Sequence, residues 1–421
     1  MIELTGKTIT TSDKTRVKVG AAFEGGGQGK CYAATNAKSG ARLILKQFET
    51  ASPLEFESVR SRTKFLVDAR LHDISPLFHC APRAWFADKA LGVGHVAPVA
   101  PGDKLDELIE RGWYPSFLDQ LQLALALSHA ISQLQSHGFV HGDLQGGNLF
   151  IEECTGSVLK PYLIDFDNYW HVNQPAPQAF IGMELYVAPE LRIARKAGTS
   201  LPVDARAENY MVTAMMHMLI LLRHPGHSAT DDPDRFDKLM CSGRWADDPA
   251  QACTLMGGYP SQVLNVTLQD LMRRGLASDP DVRPPVTEWE TALSEAVENV
   301  FVHEDCGGPV IVHRTMSSSC PHCGGSYPEL VLSLLPTGST LPVVGGGIRL
   351  GRDNLGGYPT ISNHHANLER FGPEYRLTSL GSNGTYRASP SGWIRLPDRV
   401  PVLIQPGDRL RFAEAVEAQV G

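Results

Sequence analysis

Apolar and polar positions alternate in short runs over the first hundred residues. From Lys14 to Phe48 the pattern is one of short strands, broken by EGGGQG and followed by the β-rich ARLILKQF. From Pro53 to Arg70 charged and apolar residues mix at helical spacing, and AWFADKALGVGHVAPVA returns to strand character. After PGDKLDEL the period changes. FLDQLQLALALSHAISQLQSHG carries an amphipathic helical pattern, and the chain from Asp204 to Ala296 is mostly helical. A β-rich small lobe (1–98) followed by a helical large lobe (101–300) is therefore expected. At about Phe301 the pattern changes again, to a short Gly/Ser-rich segment that carries cysteines. From Leu330 onward short β-type runs alternate with Gly, Pro and Asn turns, which predicts an all-β sandwich. There is no internal repeat.

A length of 421 residues implies two or three domains, and the 40 glycines and 29 prolines imply many turns. The net charge of −8 argues against nucleic acid or an anionic membrane as a partner. MIELTGKTITTSDKTRVKVG alternates and carries charge, unlike a signal peptide. The most apolar stretch, Met211 to Leu222, is too short to span a bilayer and predicts a buried core helix. A cytoplasmic protein with reduced thiols is expected. Cys31, Cys80, Cys154, Cys241 and Cys253 lack regular spacing and read as core or incidental thiols.

The candidate chemistry begins in FVHGDLQGGNLFI, where an aspartate is followed after four residues by an asparagine. EGGGQGKCYAA, LILKQF, GHVAPVAPGDKL, HGDLQGGN, IDFD and YVAPE occur in that order. Over residues 15–298 this series resembles bacterial protein kinases of the eukaryotic-like (Hanks) type. The resemblance implies a bilobal α+β fold and a glycine loop, Gly25, Gly26, Gly27 and Gly29, closing over ATP phosphates, with Glu24 where a first glycine is usual. It implies that Lys46 pairs with the α- and β-phosphates, that Glu57 or Glu55 holds Lys46, and that Ala97 and Val99 flank the adenine along the Pro98–Ala100 edge. Asp143 would accept or orient the proton of the attacking hydroxyl, while Asn148 and Asp165 would hold Mg²⁺ or Mn²⁺. Glu208 stands where the family has a buried aspartate organising the catalytic loop.

The series also departs from that family. Gly142 replaces the arginine before the catalytic aspartate, Gln145 a lysine, Met183 a threonine, and Asp167 the glycine after Asp165-Phe166. Residues 167–182 contain no serine or threonine, so loop phosphorylation is not expected to be the switch. Loss of the lysine charge bears on rate and substrate class. Two alternatives stand beside a protein serine/threonine kinase. One is a weak or inactive pseudokinase acting as an adaptor. The other is a small-molecule phosphotransferase, because H-G-D-x-x-x-x-N also resembles aminoglycoside-type enzymes.

HEDCGG and CPHCGG share a form: a ligand, two residues, a cysteine and two glycines whose turn aims backbone N–H groups at sulfur. His303, Cys306, Cys320 and Cys323 suit tetrahedral Zn²⁺ and resemble a zinc ribbon (301–328), with His313 as a competitor for the non-cysteine place. GIRLGRDN, ISNHHANLE and LGSNGTY together resemble the forkhead-associated (FHA) domain, a β-sandwich that binds phosphothreonine peptides (329–421). That resemblance implies that Arg352, Ser362 and Ser382 meet phosphate and that Asn363 and Asn383 meet the peptide backbone. His365 would brace the loop, and Gly351 and Gly384 would permit its turns. The whole multidomain arrangement resembles kinases of the TerY-phosphorylation type systems. The partners implied are a protein substrate, a phosphothreonine protein, a von Willebrand-type protein and a PP2C-type phosphatase, with neither nucleic acid nor membrane.

Overall fold

The early alternation becomes an antiparallel six-stranded sheet. Its strands are β1 (Thr8–Thr10), β2 (Arg16–Ala22), β3 (Gly29–Asn36), β4 (Arg42–Phe48), β5 (Ala84–Asp88) and β6 (Gly92–Pro98), in the order β1-β2-β3-β4-β6-β5. Burial follows the two-residue period: Val17 and Val19 point inward while Arg16 and Lys18 face solvent. The inward set, including Tyr32, Leu45, Phe86 and Val96, forms a core of its own. β4 pairs with β6 so that Lys46 lies opposite His95 and Ile44 opposite Ala97. This computed structural model describes residues 2–23, 29–155, 158–174, 184–229, 232–250, 259–303, 305–313, 319–325, 330–335, 337–344, 347–371 and 374–421.

Helix α1 (Pro53–Asp68) crosses behind the sheet. Ser52 accepts the Glu55 N–H at 3.2 Å, Pro53 occupies the first turn, and the Glu55 carboxylate reaches back to the Ala51 N–H at 2.7 Å. Those contacts satisfy N–H groups that a helix start leaves unpaired. The helical lobe follows with α2 (Leu105–Glu110), α3 (Phe117–Ser136), α4 (Pro189–Lys196), α5 (Ala205–Leu221), α6 (Pro233–Cys241), α7 (Val266–Gly275) and α8 (Val286–Val297). α5 is buried at every position from Ala207 to Leu221, the signature of a helix at the centre of its lobe. It packs against α3 and α7, and α3 packs against α8. No helix among the described residues is long and apolar enough to cross a membrane.

Just before α2, and between α3 and α4, lie the short strands that carry the candidate site. β7 (Asp103–Lys104), β9 (Leu149–Cys154) and β10 (Val158–Leu163) form one small sheet, and β8 (Phe139–Val140) pairs with β11 (Trp170–His171). The end of this region is anchored by a buried ion pair: Arg283 Nη2 lies 2.7 Å from Glu190 and its guanidinium stacks 5.2 Å from the Tyr210 ring.

Beyond α8, β12 (Val300–Val302) pairs with β13 (Pro309–Ile311). Successive side chains here point to opposite sides. Ile311 joins the helical-lobe core, whereas Val310 and Val312 join the core of the C-terminal sandwich. One strand is thus shared by two cores. The sandwich has a six-stranded sheet in the order Ser339–Val343, Leu330–Leu335, Val416–Val420, Arg409–Phe412, Thr385–Ser389, Gly392–Arg395. Its four-stranded partner runs Gly347–Leu350, Ala366–Phe371, Glu374–Ser379, Val402–Ile404. Arg349 of the sandwich reaches Glu298, just past α8, at 3.0 Å.

Candidate functional site

Lys46 projects from β4 into the cleft between the lobes. Its Nζ lies 2.9 Å from Asp165 Oδ1 and also pairs with Asp167. Asp165 takes a left-handed backbone (φ 59°) directly after β10, which turns its carboxylate out of the sheet. Asp167 is only 3% exposed, and its second oxygen lies 3.0 Å from His95 Nε2. Burial works against ionising all three groups. For Asp167, the Lys46 ammonium and His95 outweigh that cost and hold the carboxyl well below the usual range. Asp165 moves the opposite way, pushed up by burial and then by the charge of Asp167. Burial likewise opposes the Lys46 charge, but the two carboxylates overcome it and raise its pKa.

The catalytic-loop candidates sit below this group. β9 and β10 pair with Leu149 opposite Leu163, and the Ile164 N–H donates to the Asn148 carbonyl at 3.0 Å. Asn148 and Asp165 therefore leave the chain at adjoining ends of two paired strands. Asn148 Nδ2 donates to Asp143 Oδ2 at 3.1 Å and to the Asp143 carbonyl at 2.9 Å. Gln145, where a lysine was expected, donates to Asp143 Oδ1 at 3.1 Å. His141 is fully buried; its Nε2 faces the Ile164 carbonyl at 3.0 Å and its Nδ1 accepts the Asp143 N–H at 3.3 Å. Burial pushes its pKa down to about 4, so the ring is neutral at pH 7 and locks the loop as one tautomer.

Glu208 on α5 organises the loop from beneath. Its carboxylate is fully buried and accepts the N–H groups of His141 and Gly142, the latter at 3.2 Å, and Gln135 Nε2 at 2.9 Å. Gly142 has φ +80°, and a Cβ there would lie 2.4 Å from the Asn168 carbonyl. An arginine at this position is excluded by the backbone, independently of any phosphate it might read. Gly146 has a similar reason: a Cβ would meet Asp106 Oδ1 at 1.9 Å, so the glycine lets α2 approach the loop. Asp106 also accepts the Tyr186 hydroxyl at 3.3 Å, a contact that the sequence pattern did not signal.

Not every expected residue reaches the cleft. Glu57 is exposed and pairs with Arg60 at 2.9 Å, and Glu55 is engaged in the α1 start, so neither meets Lys46. The physical reason is helical phase: the inward positions of α1 are Thr63, Leu66 and Val67, and both glutamates lie on its outer face. Ala97 is buried on β6 and Val99 half-buried just beyond it. Gly29 lies so close to β4 that a Cβ would sit 2.3 Å from the Gln47 carbonyl. Glu24, Gly25, Gly26, Gly27 and Met183 fall outside the described residues.

The four cysteine-segment candidates come together, with ligand atoms all within 4.8 Å of one another. His303 Nδ1 is 3.4 Å from Cys306 Sγ and 3.5 Å from Cys323 Sγ, and the Cys306 and Cys320 sulfurs are 3.7 Å apart. Edges of this length suit a tetrahedron with metal–sulfur bonds of about 2.3 Å. Gly308 and Gly325 aim their N–H groups at the Cys306 and Cys323 sulfurs, at 3.3 and 3.4 Å. His313 is not in the group; it is buried, which pushes its pKa down to about 4.

On the sandwich, Arg352, Asn363, Ser382 and Asn383 are exposed and Ser362 half-buried. Asn383 Nδ2 donates to the Thr360 carbonyl at 2.7 Å and Arg352 Nε to the Ile361 carbonyl at 3.0 Å, which ties the loops together. His365 is fully buried beneath them, its Nδ1 accepting the Ser362 N–H at 3.3 Å and its Nε2 facing the Gly384 carbonyl at 3.0 Å. A Cβ on Gly351 would meet the Asn363 carbonyl at 1.9 Å, and Gly384 has φ +76°. The exposed polar rim thus rests on a buried histidine.

Comparison with known proteins agrees with this geometry. The protein kinase domain family matches residues 18–294, and the FHA domain family matches residues 348–413. Serine/threonine-protein kinases of Drosophila persimilis and Drosophila pseudoobscura pseudoobscura are each 28% identical over 188 residues, 44% of this chain. The chain spans 22% of the length of these curated relatives.

The buried Glu208 carboxyl generates a pH prediction. Burial pushes its pKa up to about 7 from a usual 4.5. A raised folded-state value means that its contribution to stability is complete below about 4.5 and is lost as pH rises through 7. Glu208→Gln removes the titration. Relative to wild type, the variant is expected to gain stability between pH 5 and 8, by at most about 3 kcal/mol for a shift of this size. Thermal unfolding of both proteins across that range checks it; a constant difference contradicts it.

Proposed function

This chain belongs to the protein kinase family, with an FHA domain following the kinase domain, and from that premise we propose that it is an ATP-dependent serine/threonine protein kinase. The observation that carries the reading is the convergence of three separate segments on one cleft. Lys46 from β4 meets Asp165 after β10, while Asn148 before β9 meets Asp143 of the catalytic loop. Lys46 would bind the α- and β-phosphates, and Asn148 and Asp165 would hold a divalent cation. Mg²⁺ supplies neutralisation of the charge on the transferring phosphoryl group. Asp143, held by Asn148 and Gln145, orients the protein hydroxyl and receives its proton. The hydroxyl oxygen then bonds the γ-phosphorus as the bond to the ADP oxygen breaks. The Asp165 carboxylate, open to the cleft, and the Asn148 side-chain oxygen are hard oxygen donors of the kind that fit such a cation.

The FHA rim would bind phosphothreonine peptides through Arg352, Ser362 and Ser382, with Asn363 and Asn383 on the peptide backbone. His303, Cys306, Cys320 and Cys323 would hold Zn²⁺, a set supported by their tetrahedral spacing. The strand shared between two cores makes that metal a support for both, rather than a spacer. A cytoplasmic setting, a von Willebrand-type substrate and a PP2C-type phosphatase complete the proposal. With no serine or threonine in residues 167–182, and a backbone at Gly142 that excludes arginine, control by loop phosphorylation is not part of it.

Three measurements test these assignments. With labelled ATP, Mg²⁺ and a generic protein substrate, Asp143→Asn is expected to lower transfer by about a hundredfold or more; undiminished transfer refutes the catalytic role. Arg352→Ala is expected to abolish binding of a phosphothreonine peptide, and equal wild-type affinity for the unphosphorylated peptide counts against the reader. Protein purified without chelator is expected to contain stoichiometric zinc by elemental analysis. Cys320→Ser should lose that metal and unfold at lower temperature.

A further inference from the structure

The sequence placed a glutamate of α1 beside Lys46, and the structure places none there. Asp167 does pair with Lys46, from a position where the family has a glycine and no side chain. We propose that Asp167, supported by His95, is the residue that positions Lys46 for nucleotide, in place of a helix glutamate. This deepens the phosphotransferase reading and rests on it.

Three observations point the same way. First, Asp167 is engaged on both oxygens, by Lys46 on one and by His95 at 3.0 Å on the other. A carboxylate held ionised only accepts hydrogen bonds, so His95 Nε2 must be the donor. Second, Lys46 and His95 are directly opposed on β4 and β6. Both partners of Asp167 therefore come from one rigid sheet, and their spacing is set by strand pairing, not by docking of a helix. Third, α1 meets the segment through a cation. Arg62 Nη2 donates to the Tyr169 carbonyl at 2.9 Å, and the Tyr169 hydroxyl donates to the Arg62 carbonyl at 2.9 Å.

The division of labour between the two aspartates follows from their exposure. Asp165, with 34% of its side chain exposed, opens to the cleft where a cation would bind; Asp167, at 3%, does not. When Asp165 engages the cation, Asp167 is the carboxylate that still faces the lysine. An ammonium has three N–H groups, so one remains for phosphate after both aspartates are served. A shift of α1 that would break a helix-borne pair leaves this one intact. The lysine's readiness is built into the sheet and the segment after β10.

The test uses the full chain with Asp167→Asn, Asp167→Gly, His95→Ala and His95→Gln, each checked for an unchanged unfolding midpoint in the kinase domain. Calorimetric affinity for Mg²⁺-ADP is measured beside KM for ATP, KM for the protein substrate, and kcat. Both Asp167 variants are expected to weaken ADP and raise KM for ATP by about tenfold, the loss of one charge-assisted contact, with KM for the protein substrate unmoved. His95→Ala is expected to weaken ADP in the same direction, and His95→Gln, which keeps a donor, to recover most of that loss. Unchanged ADP affinity in both Asp167 variants overturns the inference. Tighter ADP binding also overturns it, because it would make Asp167 a brake that holds Lys46 from the phosphates. Failure of the wild-type chain to bind ADP would be a different result, removing the phosphotransferase reading and this inference with it.

Discussion

The cleft between the two lobes is organised around the Lys46 ammonium. Lys46 belongs to the sheet, Asp165 and Asp167 to the segment leaving the helical lobe, and their pairing fixes where the cleft closes. Charges so far from water persist only if each is compensated, and here each compensates another. His95 completes the set by neutralising the remaining demand of Asp167. Asp165 and Asn148 follow as neighbours, because Asn148 precedes β9, Asp165 follows β10, and those strands are paired.

Beneath the cleft a second buried carboxylate does comparable work for the backbone. Glu208 collects the N–H groups of His141 and Gly142, while His141 ties the Asp143 N–H to the Ile164 carbonyl. The loop is thereby held without an arginine. Gly142 takes a left-handed backbone, and a Cβ there would meet the Asn168 carbonyl at 2.4 Å, so the glycine suits the shape of the loop. Gln145 adds a neutral donor to Asp143 where a cation was expected, which keeps the aspartate oriented but supplies no charge to a phosphoryl group.

The C-terminal modules are joined to the kinase lobe by packing as well as by sequence. β13 and the residue after it give Ile311 to one core and Val310 and Val312 to the other, and Arg349 reaches across to Glu298. A cluster of three cysteines and a histidine lies at the loop end of this strand pair. The exposed FHA rim is consequently presented from a braced support, its loops held by His365 below and Asn383 across.

Much of this was legible from residue order. Strand and helix periods marked β2 to β6, α1 and α3, because burial on one face imposes a period, while α5 was marked by an apolar run that fits a helix buried on all sides. The cysteine spacing and the FHA motifs were local and so could be read directly. His303 over His313 was already favoured by the likeness of the two knuckles, and the structure brings the same residue to the sulfurs. What sequence could not settle was pairing between distant segments. Glu57 lies near Lys46 along the chain and on the right helix, yet faces solvent. Asp167 lies 121 positions from Lys46 and 72 from His95, and only strand register and the turn after β10 bring them together. Residue types and periods determined the modules and their chemistry. Which carboxylate holds the lysine was decided by tertiary structure, because helical phase and cross-strand register act between segments that the sequence keeps apart.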